Sequence, residues 1–407
     1  MSRFPTYLVF VSVWMAVCSQ ILHGQKADPC TGSAIKLDRS NLALQIDAAG
    51  AGENNPREHL QEEPDVIRVH TDLVVTEFDV RDRSGKRITG LGAADFLVEE
   101  DGVPQKIEAF FFGRSQHSIG RSIVLIIDYS QSQRPYIDTS IRAAKVLVDL
   151  LDPIDKMAIV TDDVELLADF TSDKSVLAQS LERLRQRVAA RDFGKSRQMT
   201  ALYGAVQELF EAGDKRPVVI LQTDGDEMAR LLAERPSLNR SCSGQLRRFS
   251  DLTTLLERAG TTVYSIIPGV RPRNKTSGGN ISEKELDLEK VFAREAKDIV
   301  DSGDPKKIGA TRQFYKHWAK WRARDAAAIA ELSRLTGGNT EYLDDPEAAG
   351  EVYLRILNEM NQRYLIGYYP TNRAADGKRR AIKIDLRPGL PYLVNGKKGY
   401  TPRRASK

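Results

Sequence analysis

Residues Ser122–Ser132 read SIVLIIDYSQS. Ile123 to Ile127 are apolar without a break, and most are β-branched. So short and so apolar a run predicts a strand buried on both faces, as in parallel sheets. It stops at Asp128, and hydroxyls follow at Ser130 and Ser132. A second such run, PVVILQTDG, closes on Asp224. In an open α/β sheet, ligands sit outside the carboxyl ends of strands, where the strand order reverses. Two carboxylates at two such ends mark where chemistry is expected.

Around these runs strands alternate with helices. DTSIRAAKVLVDLLDP predicts a helix with Ile141, Ala144, Val148 and Leu151 on one face and Pro153 beyond its end. MAIVTDDVELLADFT predicts two strands, SVLAQSLERLRQRV and ALYGAVQELFE two helices, LTTLLERAG a helix and TTVYSIIPG a strand. A last helix, DAAAIAELSRLTGG, ends on a glycine pair suited to a C-cap. This order predicts a doubly wound α/β domain with a mainly parallel sheet, over residues 120–345. A densely charged stretch, 271–324, interrupts it.

Short strands flank the domain. IRVHTDLVVTEFDV alternates at Val74, Thr76, Phe78 and Val80. FLVEEDGVPQKIEAFFF predicts two strands around the turn dipeptide Asp101-Gly102, with Pro104 confining its strand to an edge. Behind the domain come YLIGYYP and AIKIDLR. Few short strands stay folded alone. Residues 65–115 and 364–403 are therefore expected to form the two halves of one small β-sandwich, with the α/β domain inserted between them.

The first residues carry Arg3, then an apolar stretch from Tyr7 to Val17 and small polar residues. About 11 residues cannot span about 30 Å of hydrocarbon as a helix, so the pattern predicts a secretory signal over 1–24. Acylation at Cys18 is disfavoured by Val17 before it. Residues 25–64, polar and without period, read as a disordered leader. The chain is expected to be exported, to the periplasm, cell envelope or medium, without a membrane span after signal removal. Cys30 and Cys242 could pair, though spacing alone does not decide it. A net charge of +4 is too mild to argue for nucleic acid.

Asp128, Ser130, Ser132, Asp224 and Thr200, which stands before a helix in SRQMTALYGAV, are hard oxygen donors. With no His or Cys among them they suit Mg²⁺ or Mn²⁺ rather than zinc. Few are charged, so the ion would keep positive charge and exchangeable water, and could accept a carboxylate from outside.

Here the chain resembles a known family. DYSQS matches the D-x-S-x-S of the von Willebrand factor A-type domain and its metal ion-dependent adhesion site, and Thr200 and the Asp224 of TDG match that site's other elements. The resemblance implies a Rossmann-type fold, a divalent cation and a protein partner that presents Asp or Glu to it. The whole chain is also similar to exported bacterial von Willebrand factor A-related proteins, found mainly in Acidobacteria, through DFLVEEDGVPQKIEAF, YLIGYYPTN and GKKGYTPR.

Other readings weigh less. AARDFGKS, Ala189 to Ser196, lacks the first glycine and preceding strand of a phosphate loop. Asp128 lacks the second acid of an aspartyl phosphatase, because Ser130 stands there. In QFYKHWAKWRAR, Phe314, Trp318 and Trp321 are expected to pack inward from one helix face. A metal-dependent hydrolase would need a general base, for which Asp226 and Glu227 are the nearby acids. A scaffold with a vestigial metal site also remains open.

Overall fold

The computed structural model describes residues 35–40, 42, 73–113, 120–210, 216–228, 248–273, 283–287 and 296–402. The expected signal, most of the leader, and the cysteines Cys18, Cys30 and Cys242 lie outside these residues.

A six-stranded sheet forms the centre. Its strands are β5 (Ser122–Ile127), β6 (Lys156–Thr161), β7 (Leu166–Thr171), β8 (Pro217–Gln222), β9 (Thr262–Pro268) and β10 (Thr340–Leu343), in the order β10-β9-β8-β5-β6-β7. All neighbours run parallel except β7, which pairs antiparallel with β6 at one edge. The chain moves one way across the sheet from β5 and the other way from β8, so the order reverses between these two strands.

Helices cover both faces, which explains why β5 reads as an unbroken apolar run. Ile123, Leu125 and Ile127 join one core with α1 (Ile137–Asp149), α2 (Lys174–Ala189) and residues Val352, Ile356 and Leu357 further on. Val124 and Ile126 are equally buried and point to the opposite face. On that side lie α3 (Gln198–Leu209), α4 (Phe249–Ala259) and α5 (Pro305–Leu335). The doubly wound α/β fold is as expected.

Two details differ. The last expected helix begins about twenty residues earlier, at Pro305, behind the N-cap Asp304, whose carboxylate accepts from the Lys306 and Lys307 amides. Much of the charged stretch is thus the front half of α5. A further helix, α6 (Ala349–Asn361), was not read from the sequence, yet its Val352, Tyr353, Ile356 and Met360 complete the core around α1.

Two four-stranded antiparallel sheets draw on both ends of the chain. One has the order β13-β1-β11-β4: Leu393–Gly396, Val74–Arg81, Tyr364–Tyr368 and Ile107–Phe112. The other has the order β14-β12-β2-β3: Gly399–Tyr400, Arg380–Leu386, Phe96–Glu100 and Val103–Gln105. Phe78, Phe96, Tyr364, Ile366 and Ile382 share their core, where Phe78 stacks on Tyr364 at 5.6 Å and meets the Phe96 edge at 5.1 Å. Asp101 and Gly102 both adopt positive φ, 49° and 81°, as the tight hairpin requires. The strand expected after that turn divides at Lys106: β3 stays at an edge beside β2, with Pro104 in it, while β4 crosses to the other sheet.

Charge ties the sheets to the α/β core. Glu77 of β1 accepts a hydrogen bond from Arg216 at the start of β8. Burial raises the Glu77 carboxyl, but Arg216, Arg363 and Lys397 outweigh it and hold the group below its usual value. At the entry to β5, Asp155 accepts from the Arg121 amide at 2.8 Å and from its Nε at 3.0 Å, with both side chains buried.

Two predictions follow from this packing. Asp155→Ala strands a buried guanidinium, so chemical denaturation is expected to show a loss of about 3–5 kcal/mol; a loss below about 1 kcal/mol would remove the pair from the fold's supports. We further propose that residues 65–115 and 364–403 fold as one unit. Deleting 364–403 should open Val74–Phe112 to protease, and full resistance there would contradict the proposal.

Candidate metal site

The reversal of strand order places the loops after β5 and β8 side by side. The Asp128 amide donates to the Gln222 carbonyl at 3.0 Å, so the strands remain paired up to the acidic loop. Asp128 is fully buried. Its Oδ1 accepts from the Ser130 amide at 3.0 Å; its Oδ2 accepts from Gln198 Nε2 at 2.6 Å and from the Thr223 hydroxyl at 2.9 Å. The Ser130 and Ser132 hydroxyls lie 3.2 Å apart, and Ser132 reaches Asp226 Oδ2 at 3.5 Å. The Asp226 amide donates to Asp224 Oδ1 at 3.4 Å. Asp128, Ser130 and Ser132 therefore touch directly, and Asp224 joins them through Asp226.

Thr200 is placed differently. It lies in the first turn of α3, where its hydroxyl donates to Glu227. Glu227 also accepts from the amides of Met199 at 2.7 Å and Thr200 at 3.0 Å. A carboxylate at a helix N-terminus satisfies free amides and complements the helix dipole. Glu227 thus holds Thr200 by its proton and leaves the oxygen's lone pairs to other partners. The same bonds occupy Glu227, one of the two acids considered as a general base.

Gly225 joins the second loop to α5. Its φ is +84°, and a Cβ there would meet Ile329 Cδ1 at 2.6 Å. Glycine suits this positive φ, and its missing side chain leaves room for the Ile329 methyl of the helix packed beside it. From that helix Arg322, buried, donates through Nη1 to the Asp224 carbonyl at 2.7 Å and lies 3.2 Å from Asp224 Oδ2. The front of α5 departs from the inward-facing aromatic stripe expected of it. Phe314 is 47% exposed and Trp321 66% exposed, while Ala319, Arg322 and Ala323 take the inward face. Small side chains let the helix approach the loop, and Arg322 spans the remaining distance to Asp224.

The electrostatics follow from this crowding. Burial, then the charges of Asp224 and Asp162, raise the Asp128 carboxyl well above its usual range. The charge of Asp224 pushes Asp226 up to about 8, with Arg322 opposing, while the Asp226 side chain stays 45% exposed. Burial raises Asp162 to about 7 although the amides of Tyr129 and Ser196 hydrogen-bond to it. Carboxyls gathered this closely favour a cation among them. Buried oxygens without a hydrogen-bond partner lie nearby, at Gln133 Oε1 and Gln198 Oε1. Among the described residues no three or more His, Cys, Asp and Glu side chains group to hold a metal. An ion here would thus combine few carboxylates with hydroxyl and water oxygens, which fits a hard divalent cation. Sequence reasoning did not find Gln198, Thr223 or Arg322; the first two sit one or two residues from Thr200 and Asp224, whereas Arg322 gave no local signal.

No curated protein matches the chain in sequence. Among solved structures, an aerotolerance-related membrane protein from Bacteroides fragilis is 13% identical over 60% of this chain and all of its own, with a TM-score of 0.34. The von Willebrand factor domain of the type V pili tip protein Mfa5 from Porphyromonas gingivalis is 19% identical over 26% of this chain and 38% of its own, at 0.23. Proximal thread matrix protein 1 from the mussel byssus, described with a zinc-occupied metal site motif, is 13% identical over 59% of this chain and 48% of its own, at 0.32. TM-scores this low leave the functional reading to the residues themselves. The model of the von Willebrand factor type A domain matches residues 123–227, which carry both acidic loops, and the six-stranded sheet and its helices form a domain of that type.

Proposed function

We propose that this chain is an exported, non-enzymatic binding protein that grips an acidic residue of a partner protein through a divalent cation. The cation, Mg²⁺ or Mn²⁺, would be held by Asp128, Ser130, Ser132, Thr200 and Asp224. The observation that carries the reading is the joining of two acidic loops at the reversal of strand order, with hydroxyls rather than further charges completing the set. Such an ion is undercompensated, and an incoming Asp or Glu would replace a water and balance it. The engagement of Glu227 with the α3 N-terminus weighs against hydrolysis, which would need a free base beside the ion. Export rests on the N-terminal pattern; among the described residues no helix is long and apolar enough to cross a membrane.

One metal-bridged carboxylate gives limited affinity, so neighbouring surface must add to it. The front of α5 supplies such surface. Apart from the buried Arg322, it carries six Lys and Arg residues from Pro305 to Arg324 and no Asp or Glu, with Phe314 and Trp321 exposed among them. An acidic partner that reaches the metal would meet this helix beside it.

Titration calorimetry on the purified chain should show about one Mg²⁺ or Mn²⁺ site, lost in Asp128→Ala. Equal binding by both proteins would refute the ligand assignment. Capture of partners from a cell-envelope extract should require divalent cation, cease with chelator, and fall about tenfold or more in Thr200→Ala and Trp321→Ala. Capture that persists in chelator would refute the metal bridge.

A further inference from the structure

Arg322 reaches the metal loop from a helix that otherwise packs against β9 and β10. Its guanidinium is held on several sides. Nη1 contacts the Asp224 carbonyl at 2.7 Å, Asp224 Oδ2 at 3.2 Å and Asp226 Oδ1 at 3.8 Å. Nη2 donates to the Pro268 carbonyl at 2.9 Å, at the end of β9. One turn earlier, the Trp318 ring lies beneath the guanidinium carbon at 5.5 Å. A planar fork thus bridges the carboxyl ends of β8 and β9, and its positive charge persists at any pH at which the protein folds.

We propose that Arg322 is a tethered cation that shares Asp224 with the divalent ion and so sets how tightly the site holds that ion. This rests on the metal-site reading above. Without metal, Asp224 is a buried carboxylate that needs a counter-charge, and Arg322 provides it. When a divalent ion binds the same carboxylate, two positive groups compete for one negative partner. The ion therefore gains less than it would from a free carboxylate, and its affinity is lowered. Arg322 does not have to leave: the two carbonyls and Trp318 still hold it, and Asp226 lies near enough to become its ion-pair partner. The guanidinium is expected to shift away from Asp224 and over the Trp318 face as metal enters. Arg322 is thus a positioning residue, one that sets the threshold cation concentration at which the site fills.

The test compares charge with shape in the full chain. Arg322→Gln removes the charge, whereas Arg322→Lys keeps the charge and loses the fork. Calorimetric titration with Mg²⁺ and Mn²⁺ should show Arg322→Gln binding about tenfold or more tightly than the wild type, with Arg322→Lys close to the wild type. A purely structural role would weaken both variants alike. A second measurement needs no change at Arg322. The chain has three tryptophans, so in a Trp14→Phe, Trp321→Phe background emission reports Trp318 alone. It should change with metal at the same midpoint as the heat signal. Arg322→Gln binding no more tightly than the wild type, or metal binding that leaves Trp318 emission unmoved, overturns the inference while the metal site stands. If Arg322→Gln does not fold, the Trp318 titration decides. If no protein in the series binds metal, the metal-site reading itself fails, and the inference with it.

Discussion

The central constraint is a carboxylate, Asp128, buried where two parallel strands meet and the sheet changes direction. A charge there is costly unless the surroundings answer it. The answer organises the whole end of the sheet. The Ser130 amide, Gln198 and Thr223 supply hydrogen bonds from three segments. Asp162 binds the amides of Tyr129 and Ser196 and so fixes the loops to either side. Glu227 ties the second acidic loop to α3, and Arg322 ties it to α5. Two acidic loops that the sequence places about a hundred residues apart are thereby held to one geometry.

That rigidity bears on function. A binding site that relies on neutral hydroxyls and few carboxylates must have them already in place, because ordering them on binding would consume the small energy available. The antiparallel sheets take no part in the site, yet they brace it from behind. Glu77 and Arg216 join them to the start of β8, and Arg363 donates to the Gly337 carbonyl behind α5 at 2.6 Å. The site thus lies at the opposite end of the strands from the charged junction that anchors them.

Much of this was legible in the sequence because burial on both faces leaves an unmistakable pattern. β5, β8 and β9 are buried throughout and largely apolar, and the acids that follow β5 and β8 announce the site. What escaped reading had physical causes. β10 is four residues long, too short for a period, whereas α6 carries an apolar helical period at Val352, Ile356 and Met360 that was legible but not read. The division between β3 and β4 falls at Lys106 with no glycine to mark it. A helix was read over Gln313–Arg324, but Pro305–Arg312 holds too few apolar residues to show a helical period, so the single long helix α5 was not recognised. The inward stripe was misread at Phe314 and Trp321, which are exposed, whereas Trp318 is half-buried against Arg322. Periodicity identifies a face but not which face is buried, and here a long cation and alanines were the better fit to the loop. Asp128, Ser130, Ser132, Thr200 and Asp224 were each named from sequence, as were Asp226 and Glu227 beside them; Gln198, Thr223 and Arg322, which hold Asp128 and Asp224, were not, since those contacts join residues distant in the chain.

The most direct test of a cation among these residues is an anomalous diffraction map from crystals grown with Mn²⁺. The account predicts one strong peak between the Asp128 and Asp224 loops, within bonding distance of the serine hydroxyls and absent from crystals of Asp128→Ala. A map with no peak there at saturating Mn²⁺, or with manganese bound only elsewhere on the protein, would contradict it.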